Sequence, residues 1–562
     1  MKIVQDADNM INGFYCFDGL WDMEPCFEFV DNKKIRWDIC YNGDFEWSYM
    51  FTRMDFLYKF IIAYEKTGNE KYLFHGLKIV NKWYKDNKKF ICKYIGKFFK
   101  KFYKKNNLGY RTLDVSIMIS NIVDYIDYCF SKKIISFSQY KRYKRIVCVI
   151  IDYILINTNK GYTLFNNWGI IENGNILYCL NKLNINKNVD LVCSNLICFV
   201  NNQINSNGSH IESSPMYLVQ VLLVLLKNIN CSNCSIKDDL FFPVFRGCCY
   251  IANISKLDNT IPNIGDSDLT NISDLMFIAG VVLKKDFFFN YVNRDLSDEF
   301  CFKYNISKKY SFKNFRKSIC VKYLDQTIYR DEVKKCYLMC SNVSKKIDGH
   351  KHYDYMSILY SEFGKDILVD CGRFSYKNDS NRVFFKGPSA HNVICVDGYY
   401  KYIDSWKSLE KIECLDNKVL ENKKWISIKM SCIFGYSDII VSRYVTYVYE
   451  LGLIITDVVA GEHETFFNIG DSFNVNIGDC VIISDGINNI YYFNDKNIIP
   501  KIDLVKYSKV YNECSFISQL CIRSSNKKIT HCFFKKNDKF IVKYTKNTIK
   551  YVFLDDEIIL NY

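Results

Sequence analysis

The chain has 562 residues, 49% apolar and 24% charged, with 75 Lys+Arg against 61 Asp+Glu for a formal net charge of +14. At ~150 residues per domain that length predicts three or four units, and the composition excludes a disordered or fibrous chain. The positive balance points to an anionic partner: nucleic acid, a lipid surface or an acidic polymer.

In chain order, Met1-Lys-Ile-Val-Gln-Asp-Ala-Asp8 carries acids where a secretion signal would place its apolar stretch. The first ~310 residues read as successive helices by the spacing of their apolar positions. Trp47–Lys66 carries Trp47, Met50, Phe51, Met54, Leu57, Tyr58, Ile61 and Ile62 as one stripe, and so predicts one helix. Asp114–Phe130, Ser138–Asn157, Ile170–Leu183 and Val189–Asn205 follow the same period. Between Lys82 and Lys105 ten lysines face one acid, Asp86, around an apolar face of Ile91, Tyr94, Ile95, Phe98, Phe99 and Phe102. This is a basic amphipathic helix, suited either to a partner or membrane surface or to core packing with a solvated lysine face.

From about Phe315 the pattern changes to short β-branched and aromatic runs bounded by Gly, Asn and Asp. Ser357–Phe363, Asp366–Asp370, Asn392–Val396, Trp425–Cys432, Ile439–Tyr449 and Leu453–Val458 are predicted strands. Helices first and strands afterwards imply two segregated layers or domains, not alternating βαβ units. No glycine-rich phosphate loop is present, so no nucleotide or other organic cofactor is expected. No apolar run reaches the ~18 residues of a spanning helix, so no transmembrane segment is expected. Twenty-five cysteines with no compact spacing framework predict reduced thiols and a cytoplasmic location, export by an unconventional route remaining open. The single C-x-x-C, Cys231–Cys234, has no second pair or nearby His and is a weak metal or redox signal.

Few residues are equipped for chemistry. The seven histidines are at positions 75, 210, 350, 352, 391, 463 and 531. His350 and His352 sit at the start of a predicted strand, where residues i and i+2 face one way and can serve one site. Asp370 and His391 add a carboxylate and an imidazole in the same strand-rich region, and such a His/His/Asp set suits a metal. A simple hairpin at Gly364-Lys365 would place Asp370 opposite about residue 359, several residues from His352, so spacing alone does not assemble the cluster. In the helical half, Asn166-Asn167-Trp168-Gly169 precedes a helix whose N-terminus favours anions. Gly208-Ser-His210-Ile-Glu212-Ser-Ser-Pro-Met-Tyr217 leads into another. The plainer readings are Asn-Asn as a helix cap, Ser213 or Ser214 as an N-cap and Tyr217 as core.

Taken together, Asn167-Trp-Gly, Gly208 through Tyr217, Pro262-Asn-Ile-Gly-Asp-Ser-Asp268, Gly349-His-Lys-His-Tyr-Asp354, Gly364 through Gly372 and Ala390-His-Asn-Val-Ile-Cys-Val-Asp-Gly398 resemble, in order, the heparinase II/III-like polysaccharide lyases. Tyr110-Arg-Thr-Leu-Asp114 and Asp6 through Trp21 are also similar to that family's opening. The resemblance implies an α+β multidomain chain: an N-terminal incomplete (α/α) toroid, alginate-lyase-like, over residues 1–312, then a C-terminal antiparallel β-sandwich over 313–562. It implies β-elimination on an acidic, uronate-containing polysaccharide or oligosaccharide, glycosaminoglycan- or heparan-like. No nucleic-acid motif accompanies the basic stretch Lys82–Lys105, so no nucleic-acid partner is expected. Asn167 would neutralise the uronate carboxylate. Tyr217 would act as acid, and as base for syn elimination, with His350 as base or as stabiliser of Tyr217.

By the same resemblance, His352, Asp370 and His391 would hold a divalent metal, a structural zinc, with calcium the other candidate. Arg111, Trp168, Glu212, Arg382 and Lys386 would contact substrate. Trp168 stands where several relatives carry His, Leu218 where His is common, Met118 where Arg is frequent and Asn207 where Asp is usual; these departures bear on specificity. The competing class is a non-catalytic anionic-glycan-binding or capsule-assembly protein on the same fold. A cytoplasmic lyase would act on imported oligosaccharides.

Overall fold

The computed structural model describes residues 2–95, 110–158, 163–307, 316–323, 326–341, 350–396, 412–434, 439–478, 480–538, 540–545, 548–553 and 556–561. It divides into two compact units instead of the three or four that length suggests. A helical unit comprises Met1–Ser255, Asn259–Ile261 and Leu269–Arg316; a strand-rich unit comprises Lys256–Asp258, Pro262–Asp268 and Lys317–Tyr562. Domain count by length fails because a ring of helical hairpins enlarges a unit sideways without needing a second core.

In the helical unit Leu57–Thr67, Thr112–Ser131, Trp168–Lys182, Pro215–Asn230 and Ser273–Leu283 touch in that order and form the inner ring. Each of the first four is followed by a partner packed on it: Lys71–Ile95, Phe137–Asn157, Val189–Gln203 and Lys237–Ile254. The sequence explains which is which. Every residue from Gly169 to Asn181 is buried in the inner helix Trp168–Lys182, whereas Phe137–Asn157 buries one stripe, including Tyr143, Ile146, Val147, Ile150 and Ile154. Asp124, Tyr178 and Lys227 lie toward the C-terminal ends of three inner helices and meet in hydrogen bonds: Tyr178 donates to Asp124 at 2.5 Å and Lys227 donates to it at 2.8 Å. These helices therefore run parallel, which gathers their N-termini at the other end of the unit.

The predicted single helix Trp47–Lys66 is two, Glu46–Arg53 and Leu57–Thr67, broken at Met54 with φ +58°. Asn121 stabilises the break by donating to the Arg53 carbonyl at 2.8 Å and to Asp55 at 2.7 Å. The apolar stripe runs through the break because Met54, Leu57 and Tyr58 stay buried. The lysine-rich stretch begins in Lys71–Ile95, which buries Trp83 and Ile91. Its remainder, with Tyr94, Phe98, Phe99 and Phe102, lies outside the described side chains.

The strand-rich unit is layered. A five-stranded sheet (Ile319–Lys322 to Lys365–Leu368) and a four-stranded sheet (Lys501–Tyr507, Ser515–Ser524, His463–Asn468, Ile394–Val396) share one core with an eight-stranded antiparallel sheet. A three-stranded sheet, Phe540–Tyr544 to Asp556–Asn561, packs with the opposite face of the eight-stranded one. The alternation within Ile439–Val448 makes this possible: Val445 and Tyr447 enter the first core, Tyr444 and Val448 the second. The result is the toroid-then-sandwich architecture expected above. Among the described residues no helix is long and apolar enough to cross a membrane.

Candidate functional site

In the helical unit the candidate residues sit where inner helices begin. Arg111 precedes Thr112–Ser131, Asn167 immediately precedes Trp168–Lys182, and Tyr217 lies in the first turn of Pro215–Asn230. Parallel inner helices explain why residues about fifty apart in sequence belong to one end of the unit. The Arg111 guanidinium stacks on Tyr49 at 3.5 Å and lies 5.6 Å from the Trp168 ring, while its Nη2 donates to Asp114 at 3.0 Å. Asp114 also takes Arg53 Nε at 2.8 Å. Beside them, burial and the Glu24 charge push the Glu46 carboxyl up to about 8.

Asn167 is not spent on capping. Asn166 does that work, its Oδ1 accepting from Trp168 N at 3.0 Å, while the Asn167 side chain makes no cap bond and its Oδ1 is buried with no hydrogen bond among the described residues. The Asn167 backbone N–H donates instead to Glu212 Oε1 at 2.9 Å. Glu212 is 2% exposed, and through Oε1 it holds the Asn167 backbone. Ser213 adopts φ +53° and Ser214 occupies the N-cap position without a side-chain cap bond. Tyr217 is 6% exposed.

In the strand-rich unit, His350 and His352 lie in a loop before Ile358–Glu362, not on a strand. Strand alternation therefore does not bring the imidazoles together; one carboxylate does. Asp266 Oδ2 meets His350 Nδ1 at 2.9 Å, and Oδ1 meets His352 Nε2 at 2.9 Å. Arg382 approaches the same carboxylate with Nη1 at 2.6 Å and Nη2 at 2.8 Å. Burial would raise the Asp266 carboxyl, but Arg382 and the imidazoles hold it well below the usual range, so it is ionised. Arg382, expected at substrate, is thus engaged by Asp266. Lys386 is half-buried at the end of Ser380–Lys386, its carbonyl accepting from Tyr353 N at 3.0 Å.

His352, Asp370 and His391 do come together. Each offers a ligand atom, all within 4.8 Å of one another, and all three residues are buried. His391 Nδ1 bonds Asp370 Oδ2 at 2.6 Å, leaving His391 Nε2 and His352 Nδ1 buried without hydrogen bonds among the described residues. Two orphaned imidazole nitrogens beside a carboxylate fit a divalent cation. Burial brings His352 down to about 4, keeping it neutral as a ligand must be; for His391 burial is outweighed by Asp370, which raises it.

The hairpin places Leu368 opposite Tyr360, and the loop from residue 350 folds back to reach Asp370. Asn392, beside His391, makes this possible. Its Nδ2 donates to the carbonyls of Ile358 at 2.6 Å and Val369 at 3.0 Å, and its Oδ1 accepts from Asn468 N at 2.7 Å. Sequence reasoning gave no role to Asp266 or Asn392. Asp266 lay within the Pro262–Asp268 motif, and a buried Gly-Asp-Ser-Asp run was the available signal.

The family model for the heparinase II/III N-terminus matches residues 7–277, and that for the heparinase II/III-like C-terminal region matches residues 328–543. No curated protein matches the chain. Among solved structures, a crystal structure of heparinase III aligns with TM-score 0.74 at 14% identity, covering 100% of this chain and 90% of that one. A heparinase III, the BT4657 gene product, aligns at 0.67 and 15% identity with the same coverage. A mutant of the heparan sulfate lyase HepC from Pedobacter heparinus aligns at 0.63 and 15% identity, covering 100% and 89%. At these identities the similarity is one of fold.

Proposed function

Since this chain belongs to the heparinase II/III family, both of whose models it matches in order, we propose that it is a polysaccharide lyase acting by β-elimination on a uronate-containing, glycosaminoglycan-like chain. The solved structures of similar fold include a heparan sulfate lyase, which favours a heparan-like substrate. In that reaction the C5–H and C4–O bonds break and the C4=C5 double bond forms; the C5 proton goes to a base, and the departing oxygen takes a proton from an acid. The C5 proton is acidic enough only when the adjacent carboxylate is neutralised.

The observation that carries the reading is Asn167. Its side chain is buried at a helix start, held in place through its backbone by Glu212, and makes no cap bond, which leaves Nδ2 as the group to meet a carboxylate. An amide so placed can donate to a carboxylate, and the helix N-terminus adds partial positive charge. Tyr217, in the first turn of the next inner helix, is the acid and, for a syn proton, the base. His350, held through Nδ1 by Asp266, keeps Nε2 as its basic nitrogen and is the base for the opposite epimer. Trp168, beside Arg111, offers an aromatic face to a sugar ring; Lys386 and Arg382 remain substrate candidates in the strand-rich unit.

His352, Asp370 and His391 would hold a structural zinc ion, whose charge would fix the loop carrying His350; no step of the elimination passes through it.

Purified protein is mixed with heparan sulfate, chondroitin, hyaluronan and alginate, and the ultraviolet absorbance of the unsaturated product is followed. Activity on one of these, lost in Tyr217→Phe, is the expected result. Binding without cleavage across the panel would favour the glycan-binding alternative; full activity in Tyr217→Phe would overturn the assignment of roles.

A further inference from the structure

We infer that Asp266 is a positioning residue that sets both imidazoles of His350-Lys351-His352 at once, selecting the base nitrogen of His350 and the metal-ligand nitrogen of His352. This rests on the role proposed for His350 and on the cation cluster. Asp266 is fully buried and belongs to Pro262–Asp268, a segment the strand-rich unit takes from far upstream in the chain.

A carboxylate gripped through both oxygens by a guanidinium, as Asp266 is by Arg382, only accepts hydrogen bonds. His350 must therefore carry its proton on Nδ1 and His352 on Nε2, the two nitrogens that Asp266 meets at 2.9 Å each. The lone pairs are then forced to His350 Nε2 and His352 Nδ1. The second of these is the buried nitrogen that has no hydrogen bond among the described residues, on a residue of the cation cluster. Ligand imidazoles are ordinarily oriented in this way by a carboxylate on the far nitrogen.

Two further contacts make the carboxylate rigid. Arg382 grips both of its oxygens, and the Asp266 backbone N–H donates to the His350 carbonyl at 2.9 Å. The geometry thus ties the proton-transfer group to the structural cation through a single side chain. Losing the cation would disturb His350 without any contact between them.

The test uses the full chain with Asp266→Asn, Asp266→Glu, His350→Ala and the Asp266→Asn/His350→Ala double variant, each checked for folding by circular dichroism. Nitrogen-15 histidine spectra at pH 8 read the tautomers directly, zinc affinity is measured against a chelating dye, and kcat and KM are measured on whichever glycan the wild type cleaves. The expected result is a His350 protonated on Nδ1 in the wild type and not so fixed in Asp266→Asn. That variant should bind zinc about 10- to 100-fold more weakly. Its kcat should fall by about 100-fold with KM changed less than about threefold, and the double variant should be no slower than His350→Ala.

If Asp266→Asn does not fold, Asp266→Glu keeps the charge facing Arg382 but moves it, and is expected to show the same losses in milder form. A wild-type His350 protonated on Nε2, wild-type zinc affinity in the folded Asp266 variants, or multiplicative losses in the double variant would overturn the inference. A wild type that cleaves no glycan defeats the proposed function instead, and the spectra and zinc affinity still decide the role of Asp266.

Discussion

Arg443 and Asp457 stand opposite each other on neighbouring strands and form a two-point ion pair, Nε to Oδ1 at 2.8 Å and Nη2 to Oδ2 at 2.9 Å, with neither side chain exposed. The third guanidinium nitrogen donates to the carbonyl of Asn392 at 2.6 Å and to that of Met356 at 3.1 Å. One buried arginine therefore pins both loops that deliver His352 and His391. Removing one partner of a buried pair leaves the other charge uncompensated, so Arg443→Met should destabilise the protein by about 3–5 kcal/mol. It should also weaken zinc binding, although Arg443 is no ligand. Urea unfolding and metal titration measure the two effects, and unchanged zinc affinity in a folded variant would refute the link.

The cation cluster makes its own prediction. His391→Ala and Asp370→Ala should each remove stoichiometric zinc from the purified protein, whereas His463→Ala, outside the cluster, should not. Elemental analysis after dialysis decides this. Equal zinc in all three would remove His352, Asp370 and His391 from consideration.

Glycine at position 372 follows from space and conformation together. Its φ is +84°, and a Cβ there would lie 2.0 Å from the Ser508 carbonyl oxygen, a backbone atom that cannot swing aside. Gly372→Ala should therefore cost more than the ~1 kcal/mol of an ordinary glycine replacement and should shift the neighbouring Asp370. Thermal melting and zinc affinity should fall together; a variant as stable as the wild type would contradict the crowding.

Glu172 predicts a pH dependence in the helical unit. It is fully buried in the inner helix Trp168–Lys182, and burial raises its carboxyl from the ordinary 4.5 to about 7. The folded state holds this proton more tightly than the unfolded state, so the contribution of Glu172 to stability is full below pH 4.5 and is lost as pH rises through 7. Glu172→Gln removes that decline and should be the more stable form at pH 8, by on the order of 3 kcal/mol at most. Urea titrations at pH 5 and pH 8 give the comparison, and an undiminished pH effect in the variant would assign the decline elsewhere.

At the helix ends, Asn167→Ala should lower kcat by about 100-fold, the usual cost of one donor at a developing negative charge. Glu212→Gln keeps the hydrogen bond to Asn167 N but loses the charge, so it should fall between Asn167→Ala and wild type. The initial rate of unsaturated product reports both. Full activity in Asn167→Ala would end its assignment to the carboxylate.

The strands and most helices were legible from periodicity, because burial on one or both faces leaves its spacing in the chain: Ile439–Tyr449 was expected and Ile439–Val448 is found. Met54 was not legible, since the break keeps the apolar stripe and depends on Asn121, far along the chain. The motif order around Asn167, Tyr217, His350 and the His/Asp/His set was likewise readable from sequence. Its assembly was not, because Asp266 reaches His350 across 84 positions and Arg443 reaches Met356 across 87.

By itself the sequence determined which residues are equipped for chemistry, the division into helices and strands, and the family resemblance, all properties of local spacing and side-chain type. Only the tertiary structure decided that Glu212 holds Asn167 in place, that Asp266 rather than strand alternation unites His350 and His352, and that Arg382 faces a carboxylate of its own chain. Those outcomes depend on buried charges finding partners. A buried charge takes whichever group the fold brings within about 3 Å, and sequence spacing does not encode that distance.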